Sequence, residues 1–571
     1  MANYTFSDVP VIRHSRSRFD LSHGVKTSAN VGTLYPFDVQ EVYPGDTFKV
    51  KTTVVSRLTN QFFRPIMDNL FIDTYYFFVP SRLLYDKFKN VFGENTESAW
   101  ANTQEYEVPA VPDDVSNSGV VVSGSVADYL GLPLNMSAGD QKVSILPFRA
   151  FAKIYDDWFR DQNNVPPMHI QTGEPTLSEG LNFDDWSPSN YTGKPPKVAK
   201  MHDMFTSALP APQKGSAVNL GVGQILSNAP VTAQPEGVKS SQFPLLFERT
   251  DGLGFNAQNY IGVSPWTLSP SGGAIDPDSF LFGELGSFEG SSTTGTHYSI
   301  TPVNLLAETQ GVAVGSASVN DLRFAFQLQK MLERDARSGS RYIEYISSHF
   351  NVSAGDYRLQ RSEFLGGRRS PISVTQVSQT TGEGSETSPL ASLGAFSLSQ
   401  GSSRYTKGFV EHGYVFGVFC IRQFHTYQQG IERFWKRFKR TDYFDPVFSN
   451  IGEQPIYKTE LYAGVAGSAT SDSEIFGYRE AWAELRCRQN VVSGQMRSLA
   501  DNTLDVWHLA DLYDNPPVLG QEFIEETPLY LDRAITVKHT SQDQFILDFW
   551  IDNIAYRPLP TYSIPSLIDH N

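Results

Sequence analysis

The segment Gly430–Arg440 has the sequence GIERFWKRFKR, which places aromatic rings among closely spaced cations. Such a combination is typical of single-stranded nucleic-acid binding, because cations contact phosphates while rings stack on bases. Trp435 and Phe438 are therefore candidate base-stacking residues. In a helix, however, both rings share an apolar face, which favours packing against the rest of the protein. The candidate DNA-facing or inter-subunit cations of this segment are Arg433, Lys436, Arg437 and Arg440.

Residues 1–30 are polar and form a small basic arm. Its candidate DNA-facing or inter-subunit cations are Arg13, Arg16 and Arg18. Contact with a nucleic acid or with an adjacent subunit is one interpretation of this arm, since phosphate binding depends on clustered cations. A tail in solvent is the alternative, and the sequence does not decide between them.

A third basic group follows residue 320, where apolar residues recur at helical spacing. Helical steps of four and three place one stripe of cations on a single face. The stripe consists of Lys330, Arg334, Arg337 and Arg341. We expect this stripe to form an interface, and a face in solvent is the alternative.

Catalytic signatures are not found in the sequence: it has no Walker A loop, no GxGxxG, no GxSxG and no HExxH. The acidic residues Asp156, Asp157 and Asp161 are close enough to suggest a metal site, but a solvated helix face is the stronger interpretation. We therefore expect no catalytic residue, no metal and no cofactor. A pair of carboxylates for glycoside hydrolysis would leave no local signature, so a carbohydrate-hydrolysing protein remains an alternative.

Composition limits the class of protein. The chain has 571 residues, a net charge of −16 and an aromatic content of 13%. This charge argues against a single-stranded DNA-binding module as the main role. The two cysteines, Cys420 and Cys487, cannot form a disulfide scaffold or a four-cysteine zinc site, and both are predicted to be buried free thiols. We expect no signal peptide and no membrane span, because the sequence lacks the apolar runs that these need.

Alternation of apolar and polar residues predicts strands towards both ends of the chain. Phe48–Val54 and Phe545–Ile551 alternate, Leu70–Val79 and Tyr414–Ile421 are apolar on both faces, and Ala481–Cys487 predicts a half-exposed strand. Helical patterns lie in the middle of the chain. This order favours a mainly β, two-sheet antiparallel body of the jelly-roll type, with helices and loops inserted between middle strands.

The pattern also predicts a division of the chain into segments. Residues 171–318 are rich in Gly and Pro and read as one long insertion, and residues 366–403 read as a polar stretch. The segments are a basic arm (1–30), the first strands and loops (31–146), a helix leading into the insertion (147–170), the insertion (171–318), a helix pair that closes it (319–367), the remaining strands (368–560) and a C-terminal tail (561–571).

Long stretches of the sequence resemble the major capsid protein of gokushoviruses, small tailless single-stranded DNA phages of the Microviridae. The stretches are RSRFDLSHGVKTS, YPFDVQEVYPGDTFKV, PFRAFAKIYDDWFRDQN, DLRFAFQLQKMLERDARSGSRYIEY, RLQRSEFLGG and RPLPTYSIP. The resemblance covers nearly the whole chain and is weakest in residues 171–318, which correspond to the variable loop of such proteins.

The resemblance implies a single eight-stranded jelly roll whose copies assemble into a T=1 icosahedral shell around circular single-stranded DNA. The insertion would lie between the fifth and sixth strands, form protrusions at the three-fold axes and contact the host cell surface. Further implied partners are a small basic DNA-packaging protein and other minor virion proteins. The chain would be located in the virion and assembled in the cytoplasm of the host bacterium. A β-rich carbohydrate-binding or hydrolysing surface protein is the alternative function.

Overall fold

The computed structural model describes residues 15–94, 106–112, 119–175, 183–218, 231–233, 247–249, 300–302, 305–307, 319–339, 341–378, 393–465 and 468–562. Two compact units are present, one comprising Met1–Ser216 with Met331–Asn571 and the other comprising Ala217–Lys330.

The described strands are, in chain order, β1 (Ser17–Asp20), β2 (His23–Ala29), β3 (Tyr35–Val42), β4 (Thr47–Leu58), β5 (Leu70–Pro80), β6 (Val231–Ala233), β7 (Phe247–Arg249), β8 (Ile300–Pro302), β9 (Leu305–Ala307), β10 (Glu363–Ile372), β11 (Val374–Ser378), β12 (Leu393–Gly408), β13 (Gly413–Gln423), β14 (Glu453–Tyr457), β15 (Gly464–Val465), β16 (Ser468–Ala469), β17 (Ile475–Glu480) and β18 (Phe545–Arg557). The described α-helices are α1 (Phe88–Val91), α2 (Val126–Tyr129), α3 (Leu146–Ile154), α4 (Val319–Ser338), α5 (Tyr342–Phe350), α6 (Gln521–Ile524) and α7 (Leu529–Asp532).

Two antiparallel sheets form the body of the first unit. Six strands make one sheet in the order β1-β18-β4-β12-β11, with β2 also paired to β18. Four strands make the other sheet in the order β10-β5-β13-β3. In chain order, most steps between the body strands cross from one sheet to the other, and the exceptions are β1 to β2, β5 to β10 and β11 to β12. This is the connectivity of a jelly roll, with β1 and β11 added at the edges of the larger sheet.

The sheets pack because each contributes an apolar face to one core. In β4 and β18 every second residue is buried, as the alternation predicts. Phe37 of β3 stacks on Phe549 of β18 with ring centroids 4.2 Å apart, which joins the two sheets near their centre. Tyr76 and Thr52 hydrogen-bond across the same interface.

The second face of the four-stranded sheet is covered as well. Phe77 and Phe416, on β5 and β13, belong to a second core with Phe148 and Phe151 of α3. The predicted burial of both faces of these strands is therefore confirmed. The six-stranded sheet differs, since its outward face carries exposed residues along β4, β12 and β18.

Two expectations about polar segments were wrong. Residues 17–29 lie in β1 and β2 rather than in an irregular arm, and residues 363–408 include β10, β11 and β12 rather than a polar loop. The inward positions of β12 are mostly Ala, Ser and Gly, so the strand lacks an apolar period. Gly401 explains this composition, because a Cβ there would lie 2.5 Å from the Ser370 hydroxyl of β10.

The predicted strand Ala481–Cys487 is absent from the structure. Strand β17 ends at Glu480, the backbone turns at Trp482 with φ of 64°, and Ala483–Leu485 form a 3-10 helix. Cys420 is buried as expected, whereas Cys487 is exposed because it follows this turn.

Helices are present after Pro147 and in the first part of segment 319–367, but the second helix of the pair ends at Phe350 and residues 363–367 belong to β10. Helix α3 continues into a π-helical turn at Tyr155–Phe159. Helices α4 and α5 are separated at Gly339, whose φ of +99° favours glycine. The expected apolar face of α4 is not buried, since Phe324 and Met331 are exposed.

The second unit contains two short ribbons, β6 with β9 and β7 with β8, and the first part of α4. This unit is shorter than the segment 171–318. Residues 183–216 belong to the first unit, where Tyr191 and Val198 are buried in the second core.

Candidate functional site

The aromatic and basic segment predicted from the sequence lies between β13 and β14. It forms only a short 3-10 helix, Arg433–Lys436, rather than a longer amphipathic helix. The rings do not pack into a core: Trp435 is 68% exposed and Phe438 is 84% exposed. The expectation that these rings pack against the body is therefore wrong, because one turn of 3-10 helix cannot present a continuous apolar face.

Three cations of this segment are paired with acids of the chain. Arg433 forms an ion pair with Glu460 at 3.1 Å, and Arg437 forms one with Glu484 at 3.2 Å. Lys436 is paired with Asp472. These pairs fix the segment to the strands and turns that follow it.

Arg440, in contrast, is exposed. The base-stacking and DNA-facing roles of these residues remain predictions, with three cations now held within the chain.

Exposed apolar side chains continue beyond this segment. We call residues 434–451 the aromatic loop. Its exposed large apolar residues are Phe434, Trp435, Phe438, Tyr443, Phe444, Val447, Phe448 and Ile451. Eight such residues in one loop form a patch of the kind that marks a protein–protein contact.

The aromatic loop is held in place by residues beneath it. Phe444 packs edge-on against Trp482 with ring centroids 5.5 Å apart, and the Trp482 indole donates a hydrogen bond of 3.0 Å to the carbonyl of Phe448. Below them, Arg479 is buried and donates to Glu460 at 2.9 Å. A loop fixed in this way presents its rings with little ordering cost on binding.

The predicted cations of the N-terminal arm lie partly in the residues that the structure describes. Arg13 lies outside the described residues. Arg16 and Arg18 are exposed, and Arg18 lies on β1 at the edge of the six-stranded sheet.

Within the predicted stripe on α4 and α5, Lys330 and Arg334 are exposed, but the other two cations are bound within the chain. Arg337 is paired with Glu453 and, at 3.7 Å, with Glu480. Arg341 contacts Glu344 at 3.3 Å and donates to the carbonyl of Arg160 at 3.1 Å. Burial lowers the pKa of the Arg341 guanidinium. The interface role of the stripe remains a prediction that now depends mainly on Lys330 and Arg334.

The acidic residues near α3 are hydrogen-bond acceptors rather than a solvated face. The Asp157 carboxylate accepts from the backbone and hydroxyl of Ser362, both at 2.8 Å. Asp156 accepts from Arg160, and Asp161 accepts from the backbone of the loop that follows. In the part of the chain that the structure describes, no three His, Cys, Asp or Glu side chains are grouped as metal ligands would be.

A buried charged cluster escaped the sequence analysis. His425 lies between two carboxylates, with Nδ1 at 2.7 Å from Asp511 and Nε2 at 3.0 Å from Glu526. Lys200 and the Tyr513 hydroxyl also contact Asp511, at 3.3 and 2.8 Å.

Although burial disfavours the charged ring, the two carboxylates raise the pKa of His425 to about 10. Burial likewise opposes the charge of Asp511, but His425 and Lys200 lower its pKa to about 2. Because its members are far apart in the sequence and no local spacing connects them, only their common burial reveals the cluster.

Comparison with known families decides what kind of protein carries these features. A model of the family described as Capsid protein (F protein) matches residues 7–567. The chain belongs to this capsid protein family.

The relatives of this capsid protein match it over almost their full length. It is 37% identical over 594 residues to Capsid protein VP1 of Chlamydia phage 1, which covers 98% of this chain and 97% of that protein. Identity to Capsid protein VP1 of Bdellovibrio phage phiMH2K is 36% over 575 residues, with 99% and 97% covered. Capsid protein VP1 of Spiroplasma virus 4 is 37% identical over 558 residues, with 97% and 95% covered.

The resemblance to gokushovirus major capsid proteins is thus confirmed. The chain is a major capsid protein, a structural component of the virion that assembles with its own copies into a shell. Among the described helices, none is long and apolar enough to cross a membrane.

Proposed function

We propose that this capsid protein assembles into a T=1 icosahedral shell around a circular single-stranded DNA genome, and that the aromatic loop is a contact between subunits. The observation that carries the subunit contact is the exposure of a fixed apolar loop. Phe438 and Val447 are 84% and 83% exposed. Because apolar side chains gain about 1.5–3 kcal/mol each on full burial, covering such a loop would favour association.

Symmetry makes modest contacts sufficient. A closed shell repeats each interface at every equivalent position, so many moderate contacts stabilise the particle together. The cations that hold the aromatic loop from within, such as Arg433 and Arg437, support this role by fixing its shape. The exposed cations Arg16, Arg18 and Arg440 are available for contact with DNA or with a neighbouring subunit.

The remaining parts of the proposal concern the insertion and the other virion components. Within the predicted insertion, residues 217–318 lie outside the first unit and would form the three-fold protrusions and contact the host cell surface, as long loops on a rigid scaffold commonly carry recognition. A small basic packaging protein and other minor virion proteins would complete the particle. Assembly would take place in the cytoplasm of the host bacterium.

The aromatic loop can be tested with a double variant, Phe438→Ser and Val447→Ser. Both side chains are exposed, so we expect the subunit to unfold at an unchanged temperature. Shell formation should need a roughly 100- to 10,000-fold higher subunit concentration, because the two side chains together lose about 3–6 kcal/mol of apolar burial. Negative-stain microscopy and sedimentation measure assembly, and circular dichroism measures folding.

The matched control is Val410→Ser, which changes a side chain that is 88% exposed and lies outside the aromatic loop. This control should assemble as the unchanged chain does. Normal assembly of the double variant would show that the aromatic loop is not a subunit contact. Particle mass divided by the chain mass of 63.7 kDa gives the copy number and tests T=1 directly.

A further inference from the structure

The outward face of the six-stranded sheet carries a row of cations. On β4, Lys49, Lys51 and Arg57 point away from the core and are exposed. The outward positions between Lys51 and Arg57 are the half-buried, uncharged Thr53 and Val55. Arg404 of β12 is exposed on the same face. From residue 49 to residue 57 a strand extends about 27 Å, so the row is long enough to follow an extended polymer.

In the described part of the chain, the acids of this face form no ion pair with these cations, although Asp552 of β18 is the register partner of Lys51. Among the described residues, Lys49, Lys51, Arg57 and Arg404 form no ion pair. The acids of the face, Asp20, Asp548 and Asp552, lie instead on β1 and β18. Asp548 is paired with Lys26 at 3.7 Å.

Two of these cations lie directly opposite each other on neighbouring strands. Lys51 of β4 is the register partner of Arg404 of β12, although its other neighbour, on β18, is Asp552. Like charges directly opposite each other destabilise a sheet. A bound anion would turn this repulsion into attraction, so the arrangement fits a face that holds a polyanion.

Aromatic rings lie among these cations. Trp550 of β18 is half exposed, and its indole nitrogen donates a hydrogen bond of 2.7 Å to Asp552, which fixes the ring. The ammonium of Lys49 lies 5.6 Å from the ring centroid of Tyr556. Phe396 is exposed on β12. Cations that follow a backbone and rings that stack on bases are the two requirements for binding a single strand.

We propose that this sheet face binds single-stranded nucleic acid, with Lys49, Lys51 and Arg404 contacting phosphates and Trp550 stacking on bases. The inference rests on the proposed function, because the packaged genome is the polymer that the face would hold. The opposite sheet cannot serve in the same way, since its outer face is covered by α3 and the second core. An acidic surface of another copy would also match the cations, and the measurement on assembled particles below distinguishes that contact from DNA binding.

Direct binding is measured with the purified full-length chain and a fluorescein-labelled oligothymidylate, by anisotropy over a range of salt concentrations. The test variant is Lys49→Gln, Lys51→Gln and Arg404→Gln together. Each phosphate contact with a single strand contributes about 0.7 to the salt slope of log K, so the slope should fall by about 2. Trp550→Leu should weaken binding with little change in slope, because the ring carries no charge.

The matched control removes three exposed cations from elsewhere on the chain, through Lys87→Gln, Arg358→Gln and Lys538→Gln. Its net charge changes by the same amount, so a general effect of charge would lower its slope equally. We expect the control to keep the slope of the unchanged chain. Equal slopes for the face variant and the unchanged chain would overturn the proposal.

Assembled particles provide the second measurement. The face variant should form shells of normal size with reduced DNA content, read from the absorbance ratio at 260 and 280 nm and from the extracted DNA. Loss of shells with unchanged oligonucleotide binding would overturn the proposal and assign the face to contacts between copies. If the unchanged chain forms shells but binds no single-stranded DNA, the inference fails while the capsid role stands.

Discussion

Replacing His425 by Gln should destabilise the chain by about 3–5 kcal/mol at pH 7, because removing one partner of a buried charged group leaves the others uncompensated. His425 is fully buried, and its two nitrogens face Asp511 at 2.7 Å and Glu526 at 3.0 Å. Glutamine has both N–H donors on one nitrogen and carries no positive charge, so it cannot replace the two ring nitrogens that face the two carboxylates. The rise in the pKa of His425 from 6.5 to about 10 corresponds to about 5 kcal/mol, which agrees with this range.

The pH dependence of stability follows from the same cluster. The folded state keeps the proton of His425 until the pH approaches 10, whereas the unfolded chain releases it near 6.5. The stabilisation is therefore complete below about pH 6.5 and is lost as the pH rises towards 10. Within this window the free energy of unfolding should fall by about 1.4 kcal/mol per pH unit from this residue alone.

The measurement is urea unfolding of the purified chain between pH 6 and 9.5, at a concentration below that of shell formation. The His425→Gln variant should lose most of the decline in stability above pH 7. His23 contributes a decline of the same sign, since its hydrogen bond to Asp38 raises its pKa to about 9. Because His23 is present in both chains, their difference isolates His425.

A matched control is His508→Gln. His508 is also buried, but its Nδ1 accepts from the backbone of Ala510 at 3.0 Å and its Nε2 faces the carbonyl of Met496, so no carboxylate contacts the ring. This variant measures the stability lost when a buried imidazole is replaced at a site where the hydrogen-bond partners are backbone groups. A cost below 1 kcal/mol for His425→Gln, or an unchanged pH profile, would refute the account of a protonated buried ring.

Two further predictions concern the jelly roll and the insertion. Asp73 is buried and accepts hydrogen bonds from Arg369, at 2.7 Å, and from Arg422, at 3.1 Å. Asp73→Asn should therefore lower the free energy of unfolding by about 3–5 kcal/mol in urea titrations. A loss near zero would show that these two ion pairs do not stabilise the fold. Replacing residues 219–318 by a short Gly/Ser linker should leave shells intact and abolish adsorption to host cells in a sedimentation assay, whereas an unfolded product would show that this segment supports the core.

Sequence patterns were sufficient where burial alternates cleanly. The strands β4, β5, β13 and β18 have apolar residues at inward positions, so periodicity identified them. The same reasoning failed for β12, because its inward positions carry small and polar residues that let β10 approach closely. A pattern of hydrophobicity cannot reveal a strand whose packing depends on small volume.

The sequence indicated which segment carries exposed rings and cations, but not which of those cations are paired with acids. The segment around Trp435 was singled out by its residue types, yet the burial of Arg433 and Arg437 against acids could not be read from the sequence. Those acids, Glu460 and Glu484, are more than twenty residues away. The cations of β4 alternate with its buried residues, so the sequence alone places them on the outward face. The proposed binding of a polyanion depends also on Arg404, which the fold brings opposite Lys51.

The position of β18 has a consequence for synthesis. This strand, residues 545–557, is hydrogen-bonded to β1 and β2 on one edge and to β4 on the other. A ribosome must therefore translate more than 500 residues after β2 before β18 can join β2 to β4. Until then Phe37, on which Phe549 stacks, is not covered by β18. Products truncated before β18 lack the strand that joins β1 and β2 to β4, so the six-stranded sheet stays incomplete. Completion of translation thus acts as the checkpoint for entry into a shell.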